Sequence, residues 1–282
     1  MQKVIGTLSF NRFDIPYRVY GDSAKTIVCL SGAKQTMSAW RSFVSHFQSA
    51  YRIVVFDMPG QGRSKILQGA AGVSLDEQVE ILHQVILETN THCSAEKFLI
   101  GGSWGSIVAA AYADKYTDTF DRMILGSFGT KANTVLQSVI DDVQHLISLG
   151  KGKDIAPVMI EKFGQSIPDT LKRQIVAQFD CMTEKQFQSF YEHSVAVSKM
   201  GDLKDLVNLK NIPIPVLVVM GQFDTVMDLF DTRKSTKLLP QGEFKLINGV
   251  GHFLHWEQPS ILAEYEAFFK EHALAIVRCQ AS

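Results

Sequence analysis

The sequence has no excess of charge, no long apolar run and no secretion signal, and each absence excludes a class of protein. Its 282 residues carry 28 basic and 29 acidic side chains, a net charge of −1, which gives no sign of binding to nucleic acid. The longest apolar runs, 212–220 and 107–113, are far shorter than the ~20 residues of a membrane helix. Residues 1–10 lack an apolar stretch followed by a cleavage site. We therefore expect a cytoplasmic protein with no membrane span and no nucleic-acid partner.

Cysteines are also few, and they are far apart. Because they form no CxxC pair, they predict buried thiols in a reducing compartment rather than disulfides or a zinc site. The HExxH, GxxxxGK[ST] and early GxGxxG motifs of metal, phosphate and dinucleotide sites are missing. No cofactor and no metal are expected, and the sequence does not indicate an oligomeric state. The four cysteines are Cys29, Cys93, Cys181 and Cys279.

The protein does have the apolar content for a large core, with 46% hydrophobic and 20% charged residues. Short β-rich runs alternate with helical patterns, which predicts the α/β class, with a doubly wound, mainly parallel sheet of eight strands. The first two strands should pair as an antiparallel hairpin. The predicted strands are 4–9, 17–20, 26–30, 52–56, 97–100, 122–125, 216–220 and 243–247. The predicted helices outside the interval 130–209 are 38–48, 75–89, 105–116, 229–239 and 259–270.

The interval 130–209 interrupts this alternation. It contains only helical patterns, broken at 150–153 and 164–168, and it follows the sixth predicted strand. We interpret it as a helical cap inserted into a core made of 1–129 and 210–282. One face of such a cap should lie over the carboxyl edge of the sheet, where ligands bind in doubly wound folds.

The strongest chemical signal is the pentapeptide GGSWG at 101–105, which fits the G-x-S-x-G pattern of a nucleophile elbow. It lies between a predicted strand and a predicted helix, the context that this motif requires. The strand must turn directly into the helix, which leaves the central residue strained and its hydroxyl exposed. We therefore predict Ser103 as a catalytic nucleophile.

A serine hydroxyl needs a base, and the base needs an acid that orients it, in the chain order serine, acid, histidine. His252 lies in the glycine-rich segment 249–253, just after the last predicted strand. Asp224 is the first carboxylate after the preceding strand. His255 is the alternative base, although it is placed to begin a helix. Asp228 is the alternative acid, although it is placed to cap one.

An acyl-transfer intermediate also needs hydrogen-bond donors for its negative charge. The backbone N–H of Trp104, directly after the nucleophile, is one candidate. The other is the backbone N–H of Ala33, in the SGAK turn at 31–34 that follows the third predicted strand. The turn at 57–64 is predicted to shape the edge of the site, with no chemical role for Ser64.

Taken together, these elements and motifs resemble the alpha/beta-hydrolase superfamily over nearly the whole sequence. Proline iminopeptidases share the elbow string, but they carry a His-Gly-Gly-Pro-Gly turn where this protein has SGAK at 31–34. Haloalkane dehalogenases place aspartate at the position of Ser103, which excludes them. The segments and residues that carry the superfamily resemblance are 57–64, 101–105, Asp224 and His252.

Within the superfamily, the sequence most resembles the family of 3-(3-hydroxyalkanoyloxy)alkanoate synthases, which make the lipid part of rhamnolipids and are also named as a rhamnosyltransferase component. The similar features are the glycine-alanine turn at 32–33, the elbow, the segment 251–254 and the cap. The similar cap positions are Gly164, Pro168, Leu171, Lys172 and Met182.

This resemblance implies an acyltransferase that acts on medium-chain 3-hydroxyacyl groups, with acyl carrier protein and coenzyme A as candidate carriers. An acyl group would be transferred to Ser103 and then to the hydroxyl of a second hydroxyacyl chain. A plain esterase or thioesterase would use the same residues with water as the acceptor. The third alternative is a non-catalytic small-molecule receptor on this fold, which would have no need of a complete serine, aspartate and histidine set.

Overall fold

A computed structural model describes residues 3–270, and within them nine strands form one sheet. The strand order across the sheet is β1-β2-β4-β3-β6-β7-β8-β9, with β5 paired to β2 alone. The strands are β1 (Lys3–Phe10), β2 (Phe13–Tyr20), β3 (Lys25–Leu30), β4 (Arg52–Phe56), β5 (Lys65–Ile66), β6 (Glu96–Gly102), β7 (Arg122–Gly126), β8 (Val216–Gly221) and β9 (Gly242–Ile247).

The sheet is mainly parallel, as the alternating pattern predicts. β1 and β2 form the expected antiparallel hairpin, β2 also pairs antiparallel with β4, and every pair from β4 to β9 is parallel. The predicted number of eight strands is wrong by one, because β5 adds a ninth. This two-residue strand is too short to show any alternation, and it exists only through its pairing with Phe13 and Asp14.

Within residues 3–270, ten α-helices accompany the sheet, and those of the core lie on both faces. Helices α2 and α3 pack on one face, and α1, α9 and α10 pack on the other. The helices are α1 (Arg41–Phe47), α2 (Leu75–Glu88), α3 (Trp104–Lys115), α4 (Thr134–Ser148), α5 (Ile155–Phe163), α6 (Asp169–Asp180), α7 (Glu184–Lys199), α8 (Leu229–Thr236), α9 (Leu254–Glu257) and α10 (Ile261–Lys270).

Local sequence explains where individual helices begin. Ser74 and Glu77 form a capping box at the start of α2, in which each side chain accepts a hydrogen bond from the other residue's backbone N–H. Thr183 and Gln186 do the same at the start of α7. Helix α3 is buried on almost every side, because it lies between the sheet and α2, and its sequence is accordingly rich in alanine.

Four helices, α4 to α7, occupy the interval between β7 and β8, and we call them the inserted helices. They have a small apolar core of their own, to which Val139, Val143, Phe179 and Phe190 contribute. Because these side chains are buried against one another, the inserted helices do not depend on the main sheet for all of their stability. Within residues 3–270, no helix combines the length and the apolar character that crossing a bilayer requires.

The cysteine prediction is partly wrong. Cys29 is buried in β3 as expected, but Cys93 and Cys181 are exposed. Cys93 ends a short turn after α2, and Cys181 follows the last residue of α6. Such junctions lie at the surface because their backbone groups need contact with water or a cap. Cys279 lies outside the described residues.

Space for α3 depends on Gly105. A Cβ atom at this position would lie 2.3 Å from the carbonyl oxygen of Leu30 in β3, and a backbone atom there cannot move aside. We predict that Gly105→Ala lowers the free energy of unfolding by more than about 2 kcal/mol, measured by urea denaturation. Gly102→Ala is the matched control, because no atom lies within 4 Å of its added Cβ. Equal losses in the two variants would contradict this packing argument.

Candidate active site

Ser103 stands at a sharp turn between β6 and α3. Its backbone has φ 51° and ψ −121°, a conformation that residues other than glycine rarely adopt. The turn is held by the Ser103 N–H, which donates to the carbonyl of Gly126 at 2.8 Å. The Ser106 hydroxyl donates to the Ser103 carbonyl at 2.5 Å. Backbone strain that is held by its surroundings in this way is typical of functional positions.

The glycines around Ser103 are needed for space. A Cβ atom on Gly101 would lie 2.4 Å from the carbonyl oxygen of Gly105, so the strand and the helix can meet only if this position has no side chain. The sequence pattern therefore has a direct steric cause, and it leaves the hydroxyl of Ser103 at the carboxyl end of the sheet.

His252 lies in the loop between β9 and α9, and its side chain is 4% exposed. Glu257 holds this loop by accepting hydrogen bonds from the backbone N–H groups of Gly251, at 2.6 Å, and Phe253, at 3.0 Å. The Ser127 hydroxyl donates to the carbonyl of His252 at 2.7 Å. These contacts fix the position of the imidazole from both sides.

Asp224 follows β8, and its side chain is fully buried. One carboxylate oxygen accepts hydrogen bonds from the backbone N–H groups of Val226 and Met227, at 2.9 and 3.0 Å. Burial on its own would raise the pKa of Asp224, but the nearby His252 ring and these N–H groups lower it below its ordinary value. The carboxylate is therefore ionised at neutral pH.

The structure brings Ser103, His252 and Asp224 together in one line. Nε2 of His252 lies 3.0 Å from Oγ of Ser103, and Nδ1 lies 2.9 Å from the second carboxylate oxygen of Asp224. The two alternatives are placed elsewhere. Asp228 caps α8 by accepting a hydrogen bond from the backbone of Asp231, and His255 is the second residue of α9.

The turn after β3 leaves one backbone N–H available. The Gly32 N–H donates to the side chain of Gln35 at 3.0 Å, and the Lys34 N–H donates to the side chain of Gln61. Within residues 3–270, the Ala33 N–H between them has no acceptor. Trp104 is the first residue of α3, so its N–H has no acceptor inside the helix.

The predicted structural role of the turn at 57–64 agrees with its contacts. Asp57 is buried, and its carboxylate accepts hydrogen bonds from the backbone N–H groups of Met37 and Arg63, at 2.7 and 2.9 Å. It therefore ties this turn to the loop that follows β3. The Ser64 hydroxyl is used inside the turn, within 2.8 Å of the Met58 carbonyl and 2.7 Å of the Gln61 carbonyl.

A cavity opens at Ser103 and extends beneath the His252 loop. About 490 Å³ between its walls is free of protein atoms, part of it open to solvent. Within residues 3–270, no three His, Cys, Asp or Glu side chains converge as metal ligands would. The residues around the cavity include Ser103, His252, Trp40, His255, Trp256 and Tyr265.

Comparisons with known proteins agree with the fold. The family described as alpha/beta hydrolase fold matches residues 25–146. An alpha/beta hydrolase enzyme from a Medee basin deep-sea metagenome library has a TM-score of 0.80 and 20% identity, covering 94% of this protein and 98% of the other. The enol-lactonase of Burkholderia xenovorans has a TM-score of 0.79 and 16% identity, covering 94% and 100%.

Two curated relatives have similar identity but different names. The (R)-3-hydroxydecanoyl-ACP:CoA transacylase of Pseudomonas putida is 23% identical over 86% of this protein and 82% of the relative. A 2-hydroxy-6-oxononadienedioate/2-hydroxy-6-oxononatrienedioate hydrolase of Paraburkholderia phymatum is 24% identical over 86% of each protein. The protein is an enzyme of the alpha/beta-hydrolase fold. The relatives' names do not by themselves separate acyl transfer from hydrolysis.

The sequence motifs assign no role to Lys34, but in the folded protein it is a buried amine beside the site. Its Nζ donates to the carbonyl of Gly60 at 3.1 Å and to the hydroxyl of Ser189 in α7 at 3.2 Å. Burial lowers the pKa of Lys34 to about 7. Nearby, burial and the charge of Lys34 lower the pKa of His193 to about 3, so His193 is neutral at pH 7.

The lowered pKa of Lys34 should make the free energy of unfolding depend on pH. Between pH 7 and about 10.4 the folded protein holds it neutral, while the unfolded chain keeps it charged. The unfolded state then binds more protons, so the free energy of unfolding should rise with pH. From pH 7 to 9, we predict that the free energy of unfolding of the wild type rises, relative to that of Lys34→Met, by up to about 1.4 kcal/mol per pH unit. Urea denaturation at several pH values measures this difference.

Below pH 7 Lys34 is charged in both the folded and the unfolded protein. The difference in the free energy of unfolding between wild type and Lys34→Met should therefore become constant. Lys151→Met is the control, because Lys151 is exposed and its replacement should not change the pH dependence. Parallel pH profiles for wild type and Lys34→Met above pH 7 would show that Lys34 keeps its charge in the folded protein.

Proposed function

We propose that this enzyme transfers acyl groups through a covalent intermediate on Ser103, with His252 as base and Asp224 as the acid that orients it. The observation that carries this proposal is the continuous hydrogen-bonded line from Ser103 Oγ through His252 to Asp224, with lengths of 3.0 and 2.9 Å. In such an arrangement, a weak hydroxyl nucleophile is activated by the adjacent imidazole.

In the first half of the reaction, Ser103 Oγ attacks the acyl carbonyl and its proton passes to Nε2 of His252. Asp224 accepts a hydrogen bond from Nδ1, which holds the ring in the required tautomer and stabilises its positive charge. The negative oxygen of the tetrahedral intermediate is stabilised by the N–H groups of Ala33 and Trp104. The leaving group then takes the proton from His252, and the acyl–Ser103 ester remains.

In the second half, an acceptor hydroxyl gives its proton to His252 and attacks the acyl–Ser103 ester. The bond between the acyl carbon and Ser103 Oγ then breaks, and Oγ takes the proton back from His252. If the acceptor is a 3-hydroxyacyl chain, the product is an ester-linked dimer, and if it is water, the product is a free acid. Both reactions use the same residues, so the acceptor is determined by the surroundings of the site. The transacylase name of one group of relatives supports acyl transfer and a carrier such as acyl carrier protein or coenzyme A.

We assign the inserted helices the role of a cap that covers the acyl chain. Phe163, at the end of α5, supports this role because it lies 5.6 Å from the ring of His252 and 5.7 Å from the ring of Phe253, centroid to centroid. Phe253 in turn stacks on Trp256 at 5.2 Å. A row of aromatic rings beside the base favours an apolar substrate and limits the access of water.

The triad assignment predicts that Ser103→Ala reduces the hydrolysis of an activated acyl ester by on the order of 10⁴-fold. Asp224→Asn should reduce it by a similar factor, because the asparagine would hold His252 in the wrong tautomer. Steady-state kcat/KM with a p-nitrophenyl acyl ester measures both changes.

Asp228→Asn is the matched control for the acid. Asparagine caps helices as well as aspartate does, so this variant should stay within about threefold of wild type. A large loss in Asp228→Asn, with little change in Asp224→Asn, would show that the acid is wrongly assigned. A Ser103→Ala variant within about tenfold of wild type would refute the nucleophile.

The proposed cap predicts that longer acyl chains react faster. Each buried methylene contributes about 0.8 kcal/mol, so kcat/KM should rise by about threefold to fourfold per methylene and level off once the chain extends beyond the inserted helices. A series of acyl thioesters from acetyl to dodecanoyl measures this, with product analysis for free acid and dimer. A preference for acetyl would contradict the lipid substrate, and free acid as the sole product from 3-hydroxyacyl thioesters would identify a thioesterase.

A further inference from the structure

The turn after β3 is closed in two ways by Gln35. The Gln35 backbone N–H donates to the carbonyl of Gly32 at 3.1 Å, and the Gly32 N–H donates back to Oε1 of Gln35 at 3.0 Å. Because a backbone N–H can only donate, the side-chain atom that faces Gly32 is the carboxamide oxygen. The NH₂ group is therefore the other arm of the side chain, and its orientation is fixed by the turn itself.

This NH₂ group is a hydrogen-bond donor that the protein does not use. Within residues 3–270, Nε2 of Gln35 has no acceptor, and the atom is not enclosed by protein. The residue as a whole is half-buried. A donor that is held in place and still accessible can form its hydrogen bond with a ligand or with water.

Gln35 also lies beside the nucleophile. Both Gln35 and Ser103 line the cavity described above. A Cβ atom on Gly32 would be 3.2 Å from Oε1 of Gln35 and 3.3 Å from the carbonyl oxygen of Gly102, so the carboxamide lies close to the residue that precedes Ser103. The Ala33 N–H belongs to the same turn. Two donors without a protein acceptor are therefore present in one turn beside the elbow.

We propose that Gln35 donates a hydrogen bond from Nε2 to the oxygen of the reacting acyl group, and that this bond strengthens as the oxygen becomes negative. It is the third donor to this oxygen, after the N–H groups of Ala33 and Trp104. A carboxamide suits this position because it is neutral, so no charge has to be buried before the substrate arrives. This inference rests on the proposed acyl transfer through Ser103.

Two variants separate this role from the closing of the turn. Gln35→Glu keeps an oxygen that can accept from the Gly32 N–H, but it lacks the NH₂ group and places a negative charge beside the oxyanion. Gln35→Met has a similar size and neither group. If Gln35 donates to the oxyanion, both variants should lower kcat/KM for a p-nitrophenyl acyl ester by about 100-fold, and Gln35→Glu should lose at least as much as Gln35→Met.

A purely structural role predicts the opposite order. If Gln35 only closes the turn, Gln35→Glu should stay within about threefold of wild type and only Gln35→Met should lose activity. That result would overturn the proposal. Gln68→Glu makes the same change of charge at an exposed position, and it should stay within about threefold of wild type. Urea denaturation of each variant verifies that it is folded under the conditions of the assay.

The two kinetic constants identify which oxygen is bound. For this ester, kcat/KM depends only on the steps up to the release of p-nitrophenol, in which no acceptor takes part. A Gln35→Glu variant with unchanged kcat/KM and a lower kcat would overturn the proposal, because Gln35 would then position the acceptor hydroxyl. Equal rates in wild type and Ser103→Ala would refute the proposed function itself. A large loss in Ser103→Ala with none in either Gln35 variant would refute this inference alone.

Discussion

The close contact between β6, β3 and α3 is the constraint on which the site depends. A side chain on Gly101 would meet the backbone of Gly105, and a side chain on Gly105 would meet the backbone of Leu30. Only glycine at both positions lets the helix begin directly after the strand, which forces Ser103 into its positive φ of 51°. The same geometry places the start of α3 directly beside Ser103, and the first N–H groups of a helix have no acceptor within it; this is the basis of the proposed role of the Trp104 N–H.

The site also depends on a close backbone contact between a neighbouring strand and the His252 loop. A Cβ atom on Gly221, at the end of β8, would lie 2.1 Å from the carbonyl oxygen of Gly251 in the His252 loop. The loop can therefore pass directly over β8, which brings the imidazole to Asp224. Because the carboxyl ends of parallel strands meet at one edge, residues 28 and 149 positions from His252 in sequence hydrogen-bond to it.

Much of this arrangement could be predicted from the sequence, because it depends on local patterns. Ser103 and Asp224 follow buried strands and His252 follows the edge strand β9, each within three residues of a glycine, so their positions can be inferred without knowledge of the packing. Lys34, Gln35 and Phe163 could not be assigned in this way. Their surroundings are made by segments distant in sequence, and nothing within five residues of Lys34 indicates that α7 covers it. The strand β5 was missed for the same reason, since its pairing with β2 is its main feature.

The inserted helices are hydrogen-bonded to the turn at 31–34, whose Ala33 N–H is proposed to stabilise the tetrahedral intermediate. Gln178 in α6 donates to the carbonyl of Lys34, and the Lys34 side chain donates to Ser189 in α7. The turn that carries the Ala33 N–H is thus held by the core on one side and by the inserted helices on the other. An acyl chain that moves these helices would also move this N–H, and a shift of about 1 Å at a catalytic group is enough to change a rate strongly. The length of the acyl chain can therefore affect kcat as well as binding.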